Sequence, residues 1–192
     1  MKVLYCDCFS GVSGDMLLGA LIDAGMPVDV LHTELSKLGL PEYKQVKVSE
    51  INKNGMRASY LQFDLVGVGD HRHAHSRHLA DIREIILNSK LLDQVKDTSQ
   101  RVFLRLAEAE AKVHGSSIDH VHFHEVGAVD SILDICGVMV GLAYFQIDKI
   151  FSSPLPVGGG TVQTSHGLLP VPAPATLELM KMCSAPTMSS LA

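Results

Sequence analysis

Histidine supplies the most conspicuous chemistry in this chain. Ten of its 192 residues are histidine, with four between His71 and His78 and three between His120 and His124. In an extended loop His71, His73 and His75 point the same way, with His78 close behind. Neutral imidazoles so arranged can converge on Ni²⁺, Zn²⁺ or Cu²⁺, metals suited to nitrogen ligands. His122 and His124 likewise share a face of a short extended piece, followed by Glu125. Asp130 and Asp134 then fall one turn apart on one face of an apolar helix. Carboxylates in so apolar a helix are costly unless paired, hydrogen-bonded or bound to metal. The plain alternatives are a solvated loop with adventitious metal affinity, and a network in which Asp130 caps the helix while the histidines satisfy backbone carbonyls.

Two glycine-punctuated turns offer a second chemistry. In DCFSGVSGDM, residues 7–16, Gly11 and Gly14 admit close approach to the backbone, and free N–H groups opening the next helix attract phosphate. Ser10, Gly11, Ser13 and Gly14 are the candidate cradle. Asp7, at a strand's carboxyl end, and Asp15 can instead hold a hydrated divalent ion. The same residues also suit a tight turn in which Ser13 or Asp15 only caps the helix. Further on, three glycines at 158–160 give access around Gly159, and His166 before Gly167 suits a hairpin tip. Cys6 and Cys8 read as packed strand residues. No P-loop, complete dinucleotide fingerprint or HExxH helix occurs, and no Ser-His-Asp order is defensible.

The elements that must position these residues follow from periodicity. Residues 2–8 read as a buried strand, and helices follow from the Ser13–Asp15 turn to Gly25 and from Pro27 to Gly39. Residues 44–51 and 59–66 alternate around Asn54-Gly55 as a hairpin does, and are expected to share a sheet with the first strand. Helices are expected at 79–87 and 91–114, the second stopped by Gly115. The segment 129–147 is apolar nearly all round and should be central. Strand-like pieces at 149–154 and 160–164 precede a short helix from Ala175. The tail 183–192 is small, polar and expected to fray. The expected fold is α+β, one domain with a small mixed sheet and helices packed on it.

Composition bounds the function. A chain that is 46% hydrophobic with a net charge of -5 carries no basic run, which argues against nucleic acid and anionic membrane as partners. The longest uncharged helical stretch, 135–147, is too short for a bilayer, and Asp7 interrupts the N-terminal apolar run before it can read as a signal peptide. Four cysteines without framework spacing favour a reduced, cytoplasmic setting. A chain of this length buries roughly 70% of its unfolded surface, so a metal would serve chemistry rather than folding.

Taken in order, the stretches DCFSGVSGDM (7–16), HSRHLAD (75–81), HFHEVGAVDSILDI (122–135) and GGGTVQTSHGLLPVPAPAT (158–176) resemble the N-terminal part of the LarC family, the nickel insertases of nickel-pincer cofactor biosynthesis. They span almost the whole chain to Met182, which makes 1–182 the expected substrate and nickel domain and 183–192 a tail outside the family. The resemblance implies insertion of Ni²⁺ into pyridinium bis-thiocarboxylic acid mononucleotide, with nickel–sulfur bonds and one nickel–carbon bond formed. CTP is hydrolysed with Mg²⁺ or Mn²⁺, and the product is the cofactor of lactate racemase. This is lyase-class metal chelation.

Under that reading Ser10, Gly11, Ser13, Gly14, Gly159 and His166 bind substrate and its phosphate. His71, His73, His75, His78, His122, His124, Asp7 and Asp134 supply metal ligands. Glu125, Asp130 and Asp15 are the catalytic residues, and the base to which the ring carbon that bonds to nickel loses its proton is Glu125, Asp130 or a neutral His close to the metal. Family members continue past Ala192 into a C-terminal domain to which CTP binding is attributed. The expected partner is therefore that domain or a separate chain, in a homo-oligomer, without which the N-terminal part does not turn over. The rival reading is a non-catalytic nickel-binding or storage module that needs chiefly His71 to His78. A zinc hydrolase using His122, His124 and a carboxylate is a third.

Overall fold

The computed structural model describes residues 1–67, 77–123, 128–164 and 167–189, with His122 described by its backbone alone. The α+β class stands, and the helices form where periodicity places them. Helix α5 (Val129–Phe145) is the central one: Val129, Ile132, Leu133, Cys136 and Val140 are buried along it. Around it pack α1 (Gly14–Asp23), α2 (Val28–Ser36) and α4 (Asp93–His114). Small residues let them close in. A Cβ on Gly141 would lie 2.6 Å from Leu21 Cδ1, and one on Gly137 would lie 3.1 Å from a Leu18 methyl. The single tier of α5 glycines is thus what lets α1 lie flush against the core helix.

Strands β2 (Tyr43–Lys53) and β3 (Met56–Leu65) form the antiparallel hairpin that Asn54-Gly55 announces. Both turn residues have positive φ, 53° and 82°, and Asn52 Oδ1 accepts the Gly55 N–H at 3.0 Å. The expectation that this hairpin shares a sheet with β1 (Val3–Cys6) is corrected. The hairpin's apolar residues, Val46 and Leu61 among them, are spent covering α2 and α1. Strand β1 instead pairs in parallel with β6 (Lys149–Ser152), the strand that follows α5. In place of one mixed sheet there are, among the described residues, five two-stranded ones.

Contact between α1 and β3 is close enough to test. A Cβ on Gly19 would sit 2.7 Å from the Ser59 carbonyl oxygen, a backbone atom that cannot swing aside. Gly19→Ala should therefore destabilise the chain by about 1–3 kcal/mol through overpacking, despite alanine's better helix propensity. Urea denaturation reads the change, and an unchanged midpoint would mean the helix does not rest on the strand.

Strand β4 (Arg77–His78) and helix α3 (Leu79–Asn88) follow the first histidine cluster. A 3-10 turn at Ile118–His120 leads into β5 (His122–Phe123). Strands β8 (Thr161–Thr164) and β9 (Gly167–Pro170) form a second hairpin, whose tip at 165–166 lies outside the described residues. Helix α6 (Pro174–Met182) is held to α4 by Lys112 Nζ on Glu178 Oε1 at 2.5 Å. The end expected to fray from Cys183 is instead tied back: β10 (Thr187–Met188) runs parallel to β7 (Leu155–Pro156), with the Val157 N–H on the Met188 carbonyl at 3.1 Å. Two backbone-paired residues need no apolar signal, which is why composition misreads them. Among the described residues no helix is long and apolar enough to cross a membrane.

Candidate functional site

The carboxylates that sequence places on one face of α5 meet the glycine turn of α1. Asp134 lies across Gly14, the first residue of α1: a Cβ there would be 2.6 Å from Asp134 Cβ and Cγ and 2.7 Å from its Oδ2. Its Oδ1 is buried and has no hydrogen-bond partner among the described residues. Burial pushes the Asp134 carboxyl up to about 7, and the negative charges of Asp15 and Asp130 push the same way. Asp15 is oriented by Ser13, whose hydroxyl donates to its carboxylate. Asp130, one turn before Asp134, accepts the Ser131 N–H at 2.9 Å. The starts of α1 and α5 thus both carry acids that act on Asp134, the carboxylate lying across Gly14.

This arrangement bears on the candidate phosphate cradle. Gly11 takes a positive φ of 91° and its N–H closes a turn on the Cys8 carbonyl at 2.9 Å, while the neighbouring Ser10 side is exposed. Ser13 stands at the N-cap without a side-chain capping bond, its hydroxyl being engaged by Asp15. The N–H groups of α1 that attract anions therefore share their position with two carboxylates. A phosphate reaching this turn would meet repulsion unless a cation lay between. Asp7 is exposed past the end of β1 and is not among the charges acting on Asp134. Gly159 lies in the exposed loop before β8, away from any close neighbour.

The second finding joins the two histidine clusters. Strand β4 pairs antiparallel with β5, placing His78 opposite His122 and Arg77 opposite Phe123. Arg77 is anchored by Glu42 at 2.9 Å, with both side chains mostly buried. His78 also caps α3, its N–H donating to Asp81 at 2.8 Å. Sequence spacing missed this pairing because two-residue strands carry no periodicity. From Phe123 the chain reaches Ala128, the N-cap of α5, in five residues, a span of at most about 18 Å. The histidine ribbon and the acid cluster are thus two ends of one short connection. His71, His73, His75, His124, Glu125 and His166 lie outside the described residues.

Among the described residues no group of three or more His, Cys, Asp or Glu side chains is arranged to hold a metal ion. They therefore present no ready centre for the Mg²⁺ or Mn²⁺ that the resemblance implies. What Asp134 can do is accept and release a proton near neutral pH.

Residues 4–190 match the sequence model of a family described as nickel insertion protein. A "putative nickel insertion protein" of Geotalea daltonii is 51% identical over 182 residues, covering 94% of this chain and 45% of that protein. A "pyridinium-3,5-bisthiocarboxylic acid mononucleotide nickel insertion protein" of Desulfitobacterium hafniense is 51% identical over 180 residues, covering 94% and 43%. One of the same description from Clostridium kluyveri is 48% identical over 188 residues, covering 94% and 47%. The chain spans a little under half the length of these relatives. No solved structure matches it.

Proposed function

Because the chain belongs to the nickel insertion protein family, we propose that it carries the substrate and nickel end of an insertase acting on pyridinium-3,5-bisthiocarboxylic acid mononucleotide. The observation that carries this reading is the family match over residues 4–190. The acid cluster supplies its chemistry. When a pyridinium ring carbon gives its electron pair to nickel, its C–H bond breaks and one proton must leave. A carboxylate with a proton equilibrium near 7 takes that proton at neutral pH and passes it to solvent. Asp134 is that base in our reading, with Asp15 and Asp130 raising its proton affinity and drawing the cation in. This puts the proton-accepting role on Asp134, which the resemblance makes a metal ligand, in place of Glu125, Asp130 or a neutral His.

To His78 and His122, whose backbones pair in the β4–β5 register, we assign the handover of nickel from the histidine-rich segment. The finer parts of the proposal concern the whole protein. The product serves lactate racemase; CTP is hydrolysed with Mg²⁺ or Mn²⁺ by polypeptide beyond this chain; the assembled lyase-class enzyme is a homo-oligomer in the reduced cytoplasm. Four free cysteines are compatible with that compartment.

Nickel incorporation by the purified chain tests the proposal. The assay supplies substrate, CTP and Mn²⁺, with and without the remaining polypeptide of the Desulfitobacterium hafniense relative, and follows product by absorbance and mass. Product is expected only with the added polypeptide. No product in either case, together with stoichiometric nickel binding abolished by changing His71, His73 and His75 to alanine, would replace the insertase with a storage module.

A further inference from the structure

The β1–β6 pair is an anomaly of its class. Parallel strands are ordinarily covered by other elements on both faces, and an isolated two-stranded ribbon is marginal in water. Here all four residues of β6 are exposed, and β1 alternates exposed and half-buried. Because the register pairs Tyr5 with Phe151 and Val3 with Lys149, these four residues share one face of the ribbon. Tyr5 is 61% exposed, Phe151 54% and Val3 45%. The opposite face, with half-buried Leu4 and Cys6, is better covered, and there Ile150 borders a cleft of about 420 Å³. Met139, Leu142 and Ile147 give that cleft apolar walls, and Arg101, Asp148 and Lys149 give it charged groups of both signs.

The outer edge of β6 is open as well. Lys149 and Ser153 send their N–H groups to the Lys2 and Cys6 carbonyls of the β1 side, at 3.4 and 2.9 Å. By the alternation of a strand, the Ile150 and Ser152 N–H groups point away from β1, and no described strand receives them. The open edge and the bare aromatic face adjoin, giving a surface of the kind that receives an added strand.

The relatives say how much chain is available to cover it: more than half of each lies outside the stretch shared with this chain. A second copy fits less well, since pairing β6 to β6 brings no apolar chain over Tyr5 and Phe151. We propose that the β1–β6 ribbon seats the polypeptide that these longer relatives carry outside the shared stretch. That polypeptide adds a strand along β6 and lays apolar side chains over Val3, Tyr5 and Phe151. The inference rests on the reading above that such polypeptide completes the enzyme, and it is tested by binding alone, so that failed docking and failed chemistry are told apart.

The test mixes this chain with the separately expressed remaining polypeptide of the Desulfitobacterium hafniense relative. Light scattering reads the complex, and amide hydrogen exchange reads the site. A one-to-one complex is expected, with new protection at Ile150 and Ser152. The double variant Tyr5→Asp with Phe151→Asp should weaken it at least 100-fold while leaving exchange in the α5 core unchanged, which shows that the variant folds. No complex, a complex indifferent to the double variant, protection that avoids β6, or a homodimer of this chain that the same variant dissolves would each overturn the proposal.

Discussion

Asp134→Asn is expected to make the chain more stable at pH 8 and to cut nickel insertion at least 100-fold. The two effects have one cause. In the folded chain the Asp134 carboxyl titrates near 7, against an ordinary value of 3.8. Below about pH 4 the group is protonated in both states and contributes nothing to their difference. Between about 4 and 7 the folded state holds a proton that the unfolded state releases, so stability falls as pH rises and the penalty is complete above 7. That difference corresponds to a ceiling of about 4 kcal/mol. The side chain is partly solvated, and screening reduces this to about 1–2 kcal/mol.

Asparagine removes the charge and with it the slope. The melting temperature at pH 8 should rise by about 3–6 °C, while at pH 4 the variant and the parent should nearly coincide. The quantity to plot is the difference between the two proteins at each pH, which removes every contribution common to both. Asparagine also cannot take the ring proton, and loss of a general base costs about 10²–10⁴ in rate. In the completed enzyme the parent should lose activity as pH falls through about 7. Full activity in the variant would move the base to another group, and an undiminished pH slope would mean that Asp134 is not the strained acid.

The half of this site that could be read in the sequence came from regular structure. Asp134 lies four positions along the helix from Asp130, so their shared face and the cost of burying them follow from spacing within an apolar segment. The hairpin at Asn54-Gly55 was legible for the same local reason, since both positive-φ positions are occupied by residues that tolerate them. What spacing could not supply was contact between distant parts of the chain. Nothing near residue 14 announces that Asp134 will lie on it, 120 residues away, and nothing in Arg77-His78 specifies Phe123 and His122 as partners. The parallel partner of β1 was misjudged for a related reason. Alternation shows that a strand has a buried face but not which strand lies at its edge, and the hairpin expected there was already committed to α1 and α2.

Gly14 turns that long-range contact into a second experiment, in which the sign of the effect carries the information. At an unhindered first turn, Gly14→Ala would stabilise the chain by about 0.4–1 kcal/mol, because alanine restricts the unfolded state and favours the helix. Here the added methyl would stand 2.6 Å from Asp134 Cβ and Cγ, atoms too close to the α5 backbone to turn aside freely. A net loss of about 1–3 kcal/mol is expected instead. The strain has two ways out, and pH separates them. If the starts of α1 and α5 part, the loss is similar at pH 5 and pH 8. If Asp134 swings into water, its proton affinity falls toward the ordinary carboxylate value, and the pH slope of stability shrinks while insertion activity falls with it. Either outcome requires the two helix starts to press on each other as described. A variant as stable as the parent or more so, with the parent's pH slope intact, would mean that Gly14 serves the turn alone and that Asp134 owes its raised proton affinity to other neighbours.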